Sequence, residues 1–343
     1  MKRRGGVNLI GEKTAIWKEG EYCYPAAYGF VPFIVSYIHE DDEIRPGMLV
    51  APGGAYRYAS PYEGNPPALE FYRAGYNVFV LAYTVNHLDE LEAPLKLQPL
   101  NDISRALRII RGNSVRYHID PLKVAVCGFS AGGHLCASLC VHHEDIKDPD
   151  PEYDEVSNRP DAALLCYPVI TSGEYANRES FRALLGEEPE EAELAYMSLE
   201  NHVTADTPPC FLWQTATDSS VPVENSYLFA EACRKAGVPY AHHVFSNGIH
   251  GMSVATLEWL DKESEELYTL EQIRLLAEAV QAGKTPCPPE RGEELVRAFA
   301  LDGSKRQRWT PEIKEWLAGL TDEVGLWTEL AKRWLAGELN LKN

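Results

Sequence analysis

The run Val124-Ala125-Val126-Cys127-Gly128-Phe129-Ser130-Ala131-Gly132-Gly133-His134-Leu135 joins an apolar, strand-like segment to a Gly-x-Ser-x-Gly pentapeptide and then to the start of a helix. Residues of these types in this order can do covalent chemistry. A sharp strand-to-helix turn forces its central residue into a strained conformation, with room only for glycines on either side. In exchange, the Ser130 hydroxyl stands exposed at a helix N-terminus. The Ala131 amide then points to where a substrate carbonyl oxygen would become negative, and the helix dipole favours that charge.

A serine hydroxyl is a poor nucleophile until a base takes its proton, and an imidazole base needs an acid partner to hold its tautomer. Sites of this kind run Ser, then Asp or Glu, then His along the chain. After the strand-like Cys210-Phe211-Leu212-Trp213-Gln214, the stretch Thr215-Ala216-Thr217-Asp218 places Asp218 in the loop at a strand's carboxyl end, whereas Asp206 precedes that strand and falls at the wrong end. Asp218 is therefore the expected acid, with capping of the helix that begins near Val223 as its alternative role. The loop Ser246-Asn247-Gly248-Ile249-His250-Gly251 presents His250 between glycines and makes it the expected base. His242 and His243 lie inside a strand and read as structural. His134, His142 and His143 follow the serine on one helix; with no acidic partners at a recognisable ligand spacing they read as packed or surface residues, and no metal is expected.

These loops need a scaffold. Strand-like runs occur at Phe30 to Ile38, Met48 to Ala51, Tyr76 to Tyr83, Lys123 to Cys127, Ala162 to Tyr167, Cys210 to Trp213 and Tyr240 to Phe245. Helix-length stretches lie between them at Pro66 to Ala74, Leu97 to Tyr117, Gly132 to His143 and Val223 to Ala236. Such alternation predicts an α/β fold: a mainly parallel central sheet with helices on both faces and ligands at the carboxyl ends of its strands. Residues 1–260 form this core. From 261 to 343 the pattern is helical only, interrupted by the proline-rich stretch Gly283 to Arg291. Trp309, Ile313, Trp316, Leu320, Val324, Trp327, Leu330 and Trp334 then recur at steps of three and four, with Thr310-Pro311 as a helix start. This stripe reads as packing on the core, the alternatives being a lid, a homo-oligomer surface or a carbohydrate contact.

With 343 residues and 45% apolar content the chain can bury a large core. Its 51 acidic against 32 basic side chains, a formal charge of −19, disfavour nucleic acid and anionic membrane surfaces as partners and leave neutral small molecules unpenalised. The basic start Met1-Lys2-Arg3-Arg4-Gly5-Gly6 is not followed by an apolar run, and no stretch approaches the roughly 18 apolar residues of a membrane span, so a cytoplasmic location is expected. The eight cysteines contain no Cys-x-x-Cys pair and read as reduced thiols.

From about Pro46 to Ala255 the chain resembles the bacterial acetylesterase and xylan-esterase-like branch of the α/β-hydrolases, neighbours of the hormone-sensitive-lipase group. The marks are Pro52-Gly53-Gly54-Ala55-Tyr56, Gly75-Tyr76-Asn77-Val78, Asp102, Ile119-Asp120-Pro121, the pentapeptide with Gly133-His134-Leu135, Asp218 with Val221-Pro222, and Gly248-Ile249-His250-Gly251. The resemblance implies the α/β-hydrolase fold and a Ser130, Asp218, His250 triad. It also implies an oxyanion hole from the Gly53, Gly54 and Ala131 amides, no cofactor, and short acyl esters as substrates, acetyl on carbohydrate first. The chain departs from the lipase relatives' His-Gly-Gly-Gly motif at Pro52 and Ala55, and the stretch from about Asp261 to Arg308 looks inserted. Amide hydrolysis of the arylformamidase or peptidase kind stays open, because the same triad cleaves amides. So does a non-catalytic binding module, because fold does not fix function.

Overall fold

In a computed structural model, which describes residues 11–261, 266–304 and 309–341, eight strands form one sheet. The basic start at residues 1–6 and parts of the stretch read as an insertion, residues 262–265 and 305–308, lie outside the described residues. The strands are β1 (Lys13–Ala15), β2 (Phe33–Tyr37), β3 (Arg45–Ala51), β4 (Asn77–Ala82), β5 (Ile119–Phe129), β6 (Ala162–Cys166), β7 (Cys210–Thr215) and β8 (Tyr240–Phe245). Their order is β1-β2-β4-β3-β5-β6-β7-β8, with every pairing from β4 to β8 parallel and only β1 and β2 antiparallel. The central strands are apolar without alternation because both of their faces are covered.

Local chemistry explains where the elements differ from the sequence expectations. The helix Gln98–Gly112 stops short of Tyr117 because Gly112 and Asn113 favour termination, and the Asn113 side chain donates to the Ile109 carbonyl at 2.8 Å. β5 takes in Ile119-Asp120-Pro121 and so starts earlier than its apolar stretch. The three-residue β1 has too few residues to show a period.

Successive side chains on β5 point to opposite faces. Gly128 meets Cys136 of the helix Ala131–His142 on one face, while Phe129 meets Trp327 of the helix Leu326–Glu338 on the other. The Trp-rich segment is three helices, Pro311–Ala318, Thr321–Val324 and Leu326–Glu338, broken near Gly319 and Gly325. Thr310 caps the first by accepting from the Ile313 amide. Trp327 is fully buried and stacks on Trp213 at 5.1 Å, whereas Trp316 is 47% exposed. None of the eight cysteines is bridged; seven are buried and Cys23 is exposed. Among the described residues, no helix is long and apolar enough to cross a membrane.

Candidate active site

Ser130 lies between the last residue of β5 and the first of the helix Ala131–His142, at φ 53° and ψ −118°. That strained backbone is clamped by its neighbours: its amide donates to the Cys166 carbonyl at 3.0 Å, and its carbonyl accepts from the amides of His134 (3.0 Å) and Val169 (3.2 Å). A β-carbon on Gly132 would stand 2.1 Å from the Ala51 carbonyl oxygen, and one on Gly128 would stand 2.1 Å from that of Gly132. The flanking glycines are therefore required by close backbone approach as well as by turn geometry.

The loops after β7 and β8 bring the two partners to this serine. His250 Nε2 lies 2.7 Å from Ser130 Oγ, and His250 Nδ1 lies 2.7 Å from Asp218 Oδ2. The other Asp218 oxygen accepts the amides of Ser220 (2.9 Å) and Val221 (3.0 Å), so both oxygens of this buried carboxylate are hydrogen-bonded. Because Asp218 accepts only, Nδ1 must carry the hydrogen and the Nε2 lone pair faces the serine. The Thr217 hydroxyl accepts from the Gly248 amide at 2.9 Å and donates to the Gly248 carbonyl at 2.8 Å, tying the Asp218 loop to the His250 loop.

Across from them lies the turn Pro52-Gly53-Gly54-Ala55-Tyr56. Tyr83 donates its hydroxyl to the Pro52 carbonyl at 2.6 Å, and the Tyr56 hydroxyl bonds His134 Nδ1 at 2.8 Å. His134 Nε2 in turn donates to the Met197 carbonyl at 3.0 Å. Burial pushes His134 down to about 4, so it is a neutral brace between the turn and the helix that follows Ser130. Of the three amides expected to line an oxyanion hole, Gly53 is already engaged: it donates to the buried Glu63 carboxylate at 3.0 Å. That bond competes with the role expected of Gly53, since one N–H cannot serve a buried carboxylate and a substrate oxygen at full strength. The Gly54 and Ala131 amides have no acceptor among the described residues.

The stretch read as an insertion reaches this side of the site. Gln272 of the helix Glu271–Gln281 accepts from the Val85 amide at 2.9 Å and donates to the Val85 carbonyl at 2.7 Å. Phe299, ending the helix Glu290–Phe299, lies 5.1 Å from the Tyr58 ring and 5.2 Å from the His87 ring. It thus braces the loop whose Asn86 amide donates to the Tyr56 carbonyl.

The remaining candidates stand apart. His242 bonds Ser226, and His243 packs on Phe211. His142 is buried, bonds Asp145 and donates to the Tyr196 carbonyl. His143, Glu144 and Asp206 do converge, because folding closes a long separation in sequence, but Glu144 and Asp206 are exposed and the Arg159 guanidinium lies 3.8 Å from Asp206.

Sequence reasoning missed the residues that hold the histidine loop. Ser253, at φ 48°, donates its amide to the Tyr167 hydroxyl (3.0 Å) and its own hydroxyl to the Tyr62 carbonyl (2.7 Å), and its carbonyl accepts from Trp327 Nε1 (2.9 Å). Tyr167 donates to Glu63 at 2.7 Å and meets the His250 ring edge to face at 5.0 Å. In sequence, Glu63 is a lone acid beside a Pro-Pro helix start, a pattern shared by countless solvated residues.

The family model BD-FAE matches residues 37–233. Endo-1,4-beta-xylanase B of Butyrivibrio fibrisolvens is 52% identical over 257 residues, covering 75% of this chain and 40% of that protein. Acetylxylan esterase of Xylanibacter ruminicola is 28% identical over 229 residues, covering 65% of this chain and 44% of that protein. The chain thus spans less than half the length of these curated relatives. Among solved structures, an acetyl ester-xyloside bifunctional hydrolase from Caldicellulosiruptor lactoaceticus superposes with a TM-score of 0.71 at 32% identity, covering 99% of this chain and 100% of that one. MGS-M1, an alpha/beta hydrolase from a Medee basin deep-sea metagenome, does so with a TM-score of 0.59 at 25% identity, covering 96% and 98%.

Proposed function

The chain belongs to the BD-FAE family and has the α/β-hydrolase fold, and from this we propose that it is a serine esterase that removes short acyl groups, acetyl first, from carbohydrate. The observation that carries the reading is the relay from Ser130 through His250 to Asp218, two bonds of 2.7 Å each. The acetyl and sugar parts of the reading draw on the names of the xylan-esterase and xyloside-hydrolase relatives.

In the reaction Ser130 Oγ attacks the ester carbonyl while His250 Nε2 takes its proton, and the Asp218 carboxylate stabilises the imidazolium. The tetrahedral oxyanion is held by the Gly54 and Ala131 amides, the second at a helix N-terminus. His250 protonates the leaving alcohol, and a water activated by the same imidazole then releases the acyl group from Ser130. Every proton passes through His250. The cytoplasmic setting expected from the sequence belongs to the same proposal.

The test is hydrolysis of aryl esters from acetate to decanoate, alongside acetate release from acetylated xylo-oligosaccharides, by wild type and Ser130→Ala. We expect turnover highest at acetate, release from the oligosaccharide, and a loss on the order of 10⁵-fold or more in kcat for Ser130→Ala. A folded wild type that cleaves no ester would overturn the reading.

A further inference from the structure

We propose that Glu63 is a positioning residue that holds the oxyanion turn and the His250 loop in register, so that the Gly54 amide and the His250 imidazole converge on one Ser130 hydroxyl; the inference rests on the serine-esterase reading above. Glu63 ends the 3-10 turn Pro61–Glu63 and is 5% exposed. Its two oxygens serve different parts of the site. One accepts the Gly53 amide at 3.0 Å, and the other accepts the Tyr167 hydroxyl at 2.7 Å.

On the oxyanion side, the bond turns the Gly53 N–H away from the substrate and fixes the backbone leading into Gly54, whose φ is 124°. No other residue type fits at 53, where a β-carbon would stand 2.8 Å from both Glu63 Oε2 and Ser130 Cβ. On the base side, the Tyr167 hydroxyl that donates to Glu63 accepts the Ser253 amide, and its ring flanks His250. The residue before Glu63 grips the same loop, since the Tyr62 carbonyl accepts the Ser253 hydroxyl. Even the glycine after His250 is close: a β-carbon on Gly251 would stand 4.0 Å from Glu63 Oε1. One two-residue segment therefore connects both halves of the machinery.

An ionised carboxylate is acceptor-only and can take both hydrogens at once, as charge-assisted bonds. A glutamine offers one acceptor and one donor, so Glu63→Gln breaks one connection at constant volume. Tyr167→Phe cuts the base side alone and leaves the Gly53 bond intact.

The experiment compares wild type, Glu63→Gln, Tyr167→Phe and the double variant by three readouts: the rate of Ser130 labelling by an alkyl fluorophosphonate, kcat and KM on an aryl acetate, and the thermal midpoint. Labelling places an oxygen where the oxyanion sits, so it reports the turn independently of the natural substrate. We expect Glu63→Gln to slow labelling and kcat by about 10- to 100-fold with KM changed less than about twofold, the signature of an interaction felt in the transition state. Tyr167→Phe should slow both by roughly tenfold or less, and the double variant should fall short of the product of the two because both act through the Glu63 carboxylate. Wild-type labelling and kcat in Glu63→Gln, a loss that only follows the folded fraction, or effects that multiply would each overturn the inference. A folded wild type that neither labels nor hydrolyses would overturn the esterase reading and this inference with it; an active wild type beside unaffected variants would overturn this inference alone.

Discussion

Ser130 and His250 are one hydrogen bond apart, yet they are held by very different means. The serine's strained turn is made by residues within a few positions of it: Gly128, Ala131, Gly132 and the helix that follows, with β6 alongside at Cys166 and Val169 just beyond. The histidine's loop is gripped from afar, by Tyr62, Tyr167, Thr217 and Trp327. A covalently local turn is pre-organised by its own backbone, whereas a longer loop must be restrained by whatever the fold brings beside it.

The comparison breaks first at the local end. Gly132→Ala drives a β-carbon to 2.1 Å from a backbone oxygen that cannot yield. Moving the serine by even an ångström costs about 10²-fold or more in kcat, read in steady-state kinetics, and a lower thermal midpoint should accompany it. An alanine variant of near-normal activity would show that the turn is less constrained than its geometry.

The distant supports should fail more gently. Trp327→Phe removes the donor to the Ser253 carbonyl and part of the stack on Trp213. A loss of about 2 kcal/mol in chemical denaturation is expected, with kcat reduced about tenfold and KM nearly unchanged. If stability falls and kcat holds, the C-terminal helix supports the core but not the loop. Thr217→Val is smaller still: it conserves shape and deletes both bonds to Gly248, for about 1 kcal/mol and a few-fold loss in kcat.

A stability readout sharpens the comparison through pH. Buried His134, which braces the turn from the helix that follows Ser130, is pushed down to about 4, while an unfolded imidazole titrates near 6.5. Between those values the unfolded chain binds more protons than the folded one. Stability present at pH 7 is therefore lost as pH falls from about 6.5 to about 4, by at most roughly 3 kcal/mol for this group. His134→Gln should flatten the fall of the thermal midpoint across that window; an unchanged slope would mean that half-buried histidines, His87 and His242 among them, carry it.

How much could be read in advance follows the same division. The alternating strands and helices that placed the chemistry at strand ends were legible because a sheet covered on both faces needs continuous apolar strands. Asp218 follows such a strand, whereas the strand before His250 is largely half-exposed; the loops after both bring their side chains toward Ser130. The engagement of Gly53 by Glu63 was not legible, because a carboxylate's burial depends on what packs over it and leaves no period or spacing behind. Neither was the break of the Trp-rich stretch into three helices, since its step of three and four continues through Gly319 and Gly325.

The amino-acid sequence alone determined the parts that obey local rules: the turn at Ser130, the order serine, acid, histidine, and a mainly parallel sheet to carry them. Only the tertiary structure decided which amides of the glycine turn stay free, which aromatic and acidic side chains hold His250 in place, and how residues 267–304 come to lie against the loops beside the glycine turn. The physical reason is range. Backbone strain, periodicity and strand-end placement act over a few residues and leave their signature in sequence, while a hydrogen bond between residues 63 and 167 costs the chain nothing that its composition records.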